Sequence, residues 1–277
     1  MQLGIFAKTF VRPTLEMTLD AVEASGLRHI QFNMACVGMT SMPDRIDVDT
    51  ARLIRRETER RGLVIDAVSG TYNMAHPDPE VRRAGLSRLH HLAAMCKDMG
   101  TAVITLCTGS RDPHDMWKFH PDNRKADAWA DMLASVEKAL EIADHYGVTL
   151  AIEPEFNNVV YDAVRARQLL ETMRSEKLKI VMDAANLCGP GQLHRIGDKM
   201  EEAFELLGEH LVLAHAKDVT EDPEFRHVAP GKGILDYGRY LSLLRQAGYE
   251  GPLIMHGLDE SEVPDSVRFL REKLDEL

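Results

Sequence analysis

The chain has 277 residues, 44% of them hydrophobic but only 6% aromatic, so it can bury a sizeable core that must be mainly aliphatic. A formal net charge of −11 repels a phosphate backbone and an anionic bilayer, which argues against nucleic acid and membrane as partners. No apolar stretch approaches the roughly 18–20 residues that span a bilayer, and Lys8 is followed by no long apolar run; a soluble cytoplasmic protein without a signal peptide is expected.

Short apolar runs alternate with amphipathic ones from end to end. A first strand is read at 2–6 and a helix at 13–25, stopped at Gly26. A second strand at 29–32 leads to a charged helix over 50–61, ended by Gly62. The next pairs are a strand at 63–68 with a helix at 80–99, and a strand at 102–106 with a helix at 126–146. Gly100 and Gly147 close these two helices, since glycine supplies the left-handed stop that turns a helix into the next strand. The second half keeps the rhythm: strands at 149–152, 179–182, 211–214 and 252–255, helices at 162–175, 192–207, 237–247 and 263–277. Eight strand–helix units predict a single (β/α)8 TIM barrel over residues 1–277, with eight parallel strands. An open, doubly wound sheet is the rival, but the first turn, Lys8-Thr9-Phe10-Val11, lacks the glycine-rich nucleotide loop of that fold. The four cysteines are scattered with no CxxC pair and are expected to be buried free thiols.

The loops that follow strands are uneven. Residues 69–77 and 108–123 are long and polar, and they carry His76, Trp117 and His120. In a parallel barrel such loops gather at the carboxyl-terminal face, where barrel active sites lie, so these three residues are candidate substrate contacts. Trp117 is read as a lid that excludes water from the site, with an anchor that packs the long loop down as the alternative.

Four runs of the second half each end in a group that can hold a divalent cation: Leu150-Ala151-Ile152-Glu153, Ile180-Val181-Met182-Asp183, Leu211-Val212-Leu213-Ala214-His215 and Leu253-Ile254-Met255-His256. On neighbouring parallel strands these ends converge. Two carboxylates and two imidazoles without a thiolate suit Mn²⁺, Mg²⁺, Co²⁺ or Zn²⁺ at a catalytic rather than a closed structural site. Such an ion can polarise a carbonyl while a proton moves at the neighbouring carbon.

At these residues the chain resembles the sugar phosphate isomerase/epimerase family, the xylose isomerase-like TIM barrels, which includes tagatose-type ketose epimerases, hydroxypyruvate isomerases and inosose dehydratases. The likeness runs through Ile152-Glu153-Pro154, Asp183-Ala184-Ala185-Asn186, His215-Ala216-Lys217-Asp218 and Pro230-Gly231-Lys232-Gly233-Ile234-Leu235-Asp236-Tyr237. It implies that Glu153, Asp183 and His215 are metal ligands and that Asn186 stands where the family often has a substrate-contacting histidine. It also implies that Lys217 and Arg226 meet substrate oxygens or phosphate. One departure stands out: the family's epimerases usually end the eighth strand with a second glutamate that binds metal and exchanges a proton, and here the residue is His256. An imidazole can bind metal or act as acid or base, so Glu153, His256 and Lys217 are the expected catalytic residues, but the two-glutamate mechanism does not carry over intact. Asp259 or Glu260 offers a substitute carboxylate.

The expected function is a metal-dependent isomerase or epimerase of a small carbohydrate, moving a proton through a metal-stabilised enediolate. Its rivals are an inosose-type dehydratase, an AP-endonuclease-like hydrolase with His76 and His120 extending the metal cluster, and a barrel that binds sugar without turning it over. Glu155 is expected to be solvated or to stand behind the ligands. Lys8, Arg111, Lys217, Arg226 and Lys232 are the cations available for a phosphate pocket, though scattered surface charge accounts for most of them. An exposed loop or helix face leaves room for a homo-oligomer.

Overall fold

In a computed structural model that describes residues 1–221 and 223–277, the apolar runs lie side by side and parallel. The barrel strands are β1 (Leu3–Phe6), β2 (His29–Phe32), β3 (Val64–Ser69), β4 (Val103–Leu106), β5 (Thr149–Ile152), β6 (Leu178–Asp183) and β7 (Leu211–Ala216), with β10 (Leu253–Met255) as the eighth. They close in the order β1-β10-β7-β6-β5-β4-β3-β2, the expected TIM barrel. Around it run α1 (Leu15–Ala24), α2 (Val48–Arg60), α3 (Pro79–Met99), α4 (Ala126–Tyr146), α5 (Ala163–Met173), α6 (Ile196–Leu207), α7 (Tyr237–Gln246) and α8 (Val263–Asp275). None of the described helices is long and apolar enough to cross a membrane.

Local chemistry sets the helix boundaries. Asp47, Asp78, Asp162 and Asp236 each accept a backbone N–H of the first turn of their helix, satisfying donors that have no intrahelical partner. Gly100 and Gly147 end α3 and α4 in the left-handed region, at φ 87° and 69°. The predicted helix at 192–207 begins later, because a 3₁₀ turn at Leu193–Arg195 precedes α6. A short antiparallel pair that periodicity did not announce, β8 (Asp218–Val219) and β9 (His227–Val228), folds the chain back after β7. The four cysteines are buried and free.

Two apolar layers hold the ring. One lies between strands and helices; the other is a small plug inside the barrel made of Phe6, Ala67, Ala151, Val181, Leu213 and Ile254. This plug fixes the direction of the functional side chains. Side chains two positions apart along a strand share a face. Glu153, Asp183, His215 and His256 each stand two residues beyond a plug residue, so all four point inward above the plug. Asp183 pairs with His215 across β6 and β7, and His256 follows two residues after Ile254, which pairs with His215 across β10 and β7.

Candidate metal centre and active site

At the carboxyl-terminal mouth, one ligand atom each of Glu153, Asp183, His215 and His256 lies within 4.8 Å of all the others. Asp183 Oδ2 is 2.9 Å from His256 Nε2, 3.1 Å from Lys217 Nζ and 4.0 Å from His215 Nδ1. Glu153 Oε1 is 3.5 Å from His215 Nδ1 and accepts a 2.6 Å hydrogen bond from Asn186 Nδ2. The carbonyl oxygen of Asn186 accepts in turn from Lys217 Nζ at 2.6 Å. Asn186 thus bridges Glu153 and Lys217.

The protonation pattern of His215 bears on whether this cluster fits a cation. Gln31, from β2, donates its amide N–H groups to Ser69 Oγ (3.0 Å) and Thr105 Oγ1 (2.8 Å). That leaves its oxygen facing His215 Nε2 at 2.8 Å, so Nε2 carries the proton. Nδ1 is then a bare lone pair, buried and without a hydrogen-bond partner, directed at two carboxylates. An acceptor facing acceptors costs free energy that a cation between them would recover. The residues fit a divalent ion. Replacing Gln31 with Leu removes the group that sets this tautomer and should weaken Mn²⁺ binding about 10–100-fold, as for other residues that orient metal ligands. A calorimetric titration showing native affinity in that variant would refute the orienting role.

The charges are mutually held. Burial by itself would raise the Asp183 carboxyl, but the Lys217 ammonium, with the hydrogen bond from His256, outweighs it and keeps the group well below the usual carboxylate range. Burial would lower Lys217, but Asp183, Glu153 and Glu155 together raise it, so the ammonium stays charged. His256 is pushed down to about 4, first by burial and then by the Lys217 charge, and is a neutral imidazole near neutrality. Glu155 moves the other way: burial, then the neighbouring Glu153, raises it to about 8. Phe6 closes the floor, with its ring centroid 5.6 Å from that of His215 and 5.2 Å from that of His256.

Above the floor opens a cavity of about 470 Å³, within the range of small-molecule sites. Glu153, Asn186, Lys217, His256 and Trp117 line it, the last with its indole 47% exposed at the rim. Arg226, His76 and His120 are not brought to it. The β8–β9 hairpin leaves Arg226 exposed and presents the next residue, His227, to the cavity, because neighbouring residues on a strand face opposite ways. His76 accepts from Asp78 N–H through Nδ1 and hydrogen-bonds Pro113 O through Nε2, so it fastens two loops together. His120 accepts from Asp122 N–H and caps the 3₁₀ turn at Pro121–Arg124. Asp259 and Glu260, offered as substitute carboxylates, are drawn into a capping box at Glu260–Glu262 and an ion pair with Arg12.

Sequence reasoning missed Gln31 and underrated Glu155. Gln31 is a buried polar residue between Ile30 and Phe32 on the strand His29–Phe32, a signal that was available. Glu155 carried no such signal, because its burial depends on the loops at 108–110 and 153–160 coming together. The amide of Glu155 donates to Val160 O, its carbonyl accepts from Asn158 N–H, and the two turns on either side are joined by Gly109 N–H donating to Asn158 Oδ1.

Comparison with known proteins places this geometry. The profile of the xylose isomerase-like TIM barrel family matches residues 19–273. An L-ribulose-5-phosphate 3-epimerase of Escherichia coli is 25% identical over 274 residues, covering 94% of this chain and 88% of its own. The fold is shared with a D-psicose 3-epimerase of Clostridium cellulolyticum H10 solved with D-tagatose (TM-score 0.73, 15% identity, 99% of both chains). It is shared too with the IOLI protein, solved with a zinc atom (TM-score 0.75, 16% identity, 100% of this chain and 97% of that one). With a closed eight-stranded barrel and a family profile that spans nearly all of it, the chain belongs to the xylose isomerase-like TIM barrel family.

Proposed function

We propose that this protein is a divalent-metal-dependent epimerase or isomerase of a small carbohydrate, with Glu153, Asp183, His215 and His256 as the residues that hold the ion. The observation that carries this reading is the bare, buried Nδ1 of His215 facing two carboxylates at 3.5 and 4.0 Å. The name of the Escherichia coli relative, a ketose-phosphate epimerase, and the zinc in a solved barrel of the same fold support it. The donor set suits Mn²⁺, Mg²⁺, Co²⁺ or Zn²⁺.

When bound, the ion would polarise the substrate carbonyl and make the neighbouring C–H more acidic. The chain's own groups divide the remaining work. Glu153, oriented by Asn186 and set near the Lys217 charge that opposes the effect of its burial, takes the proton from carbon. Lys217, locked between Asp183 and Asn186, sets a fixed positive charge beside the oxygen where negative charge develops. His256, neutral and three strands round the ring from β5, returns the proton or relays it. Phe6 excludes water from below. Glu153 and His256 thus stand where a two-glutamate epimerase would use two carboxylates. The hydrolase reading has less behind it, since neither His76 nor His120 lines the cavity.

Two measurements test the reading. Protein stripped with a chelator and resupplied with Mn²⁺ should hold about one ion per chain, and ketoses incubated with it in D₂O should gain deuterium at one carbon. A chain that takes up no metal, or one that binds ketoses without exchanging any proton, is not this enzyme; the second result would favour the sugar-binding barrel.

A further inference from the structure

Glu155 stands apart from the rest of the site. The residue is only 8% exposed and lines the cavity, yet its carboxyl has no hydrogen bond or ion pair with any described residue. Burying such a group without a partner opposes folding, so a ligand group is the natural complement. Its backbone is fixed on both sides by the 153–160 turn, which leaves the side chain pointing at the cavity. The wall it shares, with Asn33, Ser69, Thr71 and Thr105, is one of hydroxyls and an amide. Either protonation state of a carboxyl can serve a hydroxyl, which both donates and accepts.

Most of the groups that would hold a phosphate ester are committed elsewhere or lie off the cavity. In (β/α)8 barrels phosphates commonly sit on backbone N–H groups of the loops after strands seven and eight. Here backbone N–H groups of the loop after strand seven are taken by the protein's own Asp218 carboxylate, which accepts from Val219 N–H (2.9 Å), Leu235 N–H (3.0 Å) and Gly231 N–H (3.1 Å). A Cβ at Gly233 would collide with the same carboxylate, so the glycine turn is shaped around it. Lys232 is paired with Glu262 at 2.7 Å, Arg111 with Asp131 at 2.7 Å, and Lys217 with Asp183 at 3.1 Å. Arg226 is exposed outside the cavity. Among the described residues of the cavity wall, Lys8 is the cation without a carboxylate partner, its Nζ lying 5.2 Å from the Phe6 ring centroid at the rim.

From these observations, and resting on the function proposed above, we infer that the substrate is an unphosphorylated polyhydroxy ketose and that Glu155 selects it by hydrogen-bonding one of its hydroxyls. This separates the chain from its L-ribulose-5-phosphate-epimerising relative. A site built around a hydroxyl discriminates strongly, because its buried polar group is left unpaired by the wrong ligand.

The test is calorimetric binding of L-ribulose and of L-ribulose 5-phosphate to the full chain loaded with Mn²⁺. The sugar should bind at least about tenfold more tightly than its phosphate, and Glu155→Ala should weaken the sugar about tenfold or more, the usual size of a hydrogen bond to a carboxylate. Glu155→Gln, which keeps a hydrogen-bonding group there, should recover most of that loss. Mn²⁺ affinity, measured separately, should be unaltered in both variants, which shows that the ligand cluster is intact. Tighter binding of the phosphate, no binding of either sugar by metal-loaded protein, or an unchanged sugar affinity in Glu155→Ala would each overturn the inference. Failure of the wild-type chain to bind Mn²⁺ would instead overturn the metal centre on which it rests.

Discussion

Asp183→Asn should leave a folded barrel that holds no stoichiometric metal and turns over ketose about 10³-fold more slowly, the size expected when several kcal/mol of charge stabilisation is lost. Three groups converge on this carboxylate: His256 Nε2 and Lys217 Nζ on Oδ2, and Ala185 N–H on Oδ1. The amide is nearly isosteric and can still accept from Ala185, so the local turn survives. It cannot supply negative charge to a cation, and its NH₂ end would face either Lys217 or the imidazole. Mn²⁺ content by elemental analysis and turnover in the same samples check this together. A variant that keeps one Mn²⁺ per chain at native affinity would remove Asp183 from the ligand set.

Lys217→Met should produce the largest loss of stability in the protein without metal, about 3–5 kcal/mol, because it strips the countercharge from buried carboxylates. The Lys217 side chain is only 7% exposed and its ammonium touches Asp183 and Asn186, with Glu153 held through the same Asn186. A divalent ion in the cluster would replace that charge. Thermal unfolding should therefore show Mn²⁺ raising the melting temperature of Lys217→Met by more than that of the parent chain. Turnover of the metal-loaded variant should still fall about 10²–10³-fold, as when one preorganised donor at a developing oxyanion is removed. Equal metal-induced shifts in the two proteins would mean that Lys217 and the cation do not share a charge-balancing role.

Much of this was legible in the residues. The barrel could be read from eight alternations of aliphatic run and amphipathic helix, with aspartate caps and glycine stops that act locally and need no distant partner. The convergence of Glu153, Asp183, His215 and His256 was legible for a similar reason. A strand's two-residue period and the closed order of a parallel barrel dictate where the last inward side chain of each run must point.

Other features depend on contacts between segments far apart in the chain, which no local pattern encodes. Gln31 meets His215 across 184 positions and thereby fixes which imidazole nitrogen is bare. Glu155 has the composition of a solvated loop residue, and becomes a buried, unpartnered carboxyl only because 108–110 and 156–160 fold over it. His76 and His120 show the reverse: polar loop residues with the chemistry of a site, tied instead to nearby backbone. The sequence by itself determined the barrel and the four side chains that crown its inner plug, because repeating backbone periodicity is a local property. Only the tertiary structure decided which surrounding groups are already paired and which remain open to a ligand, because pairing is settled by the whole set of neighbours that folding brings together.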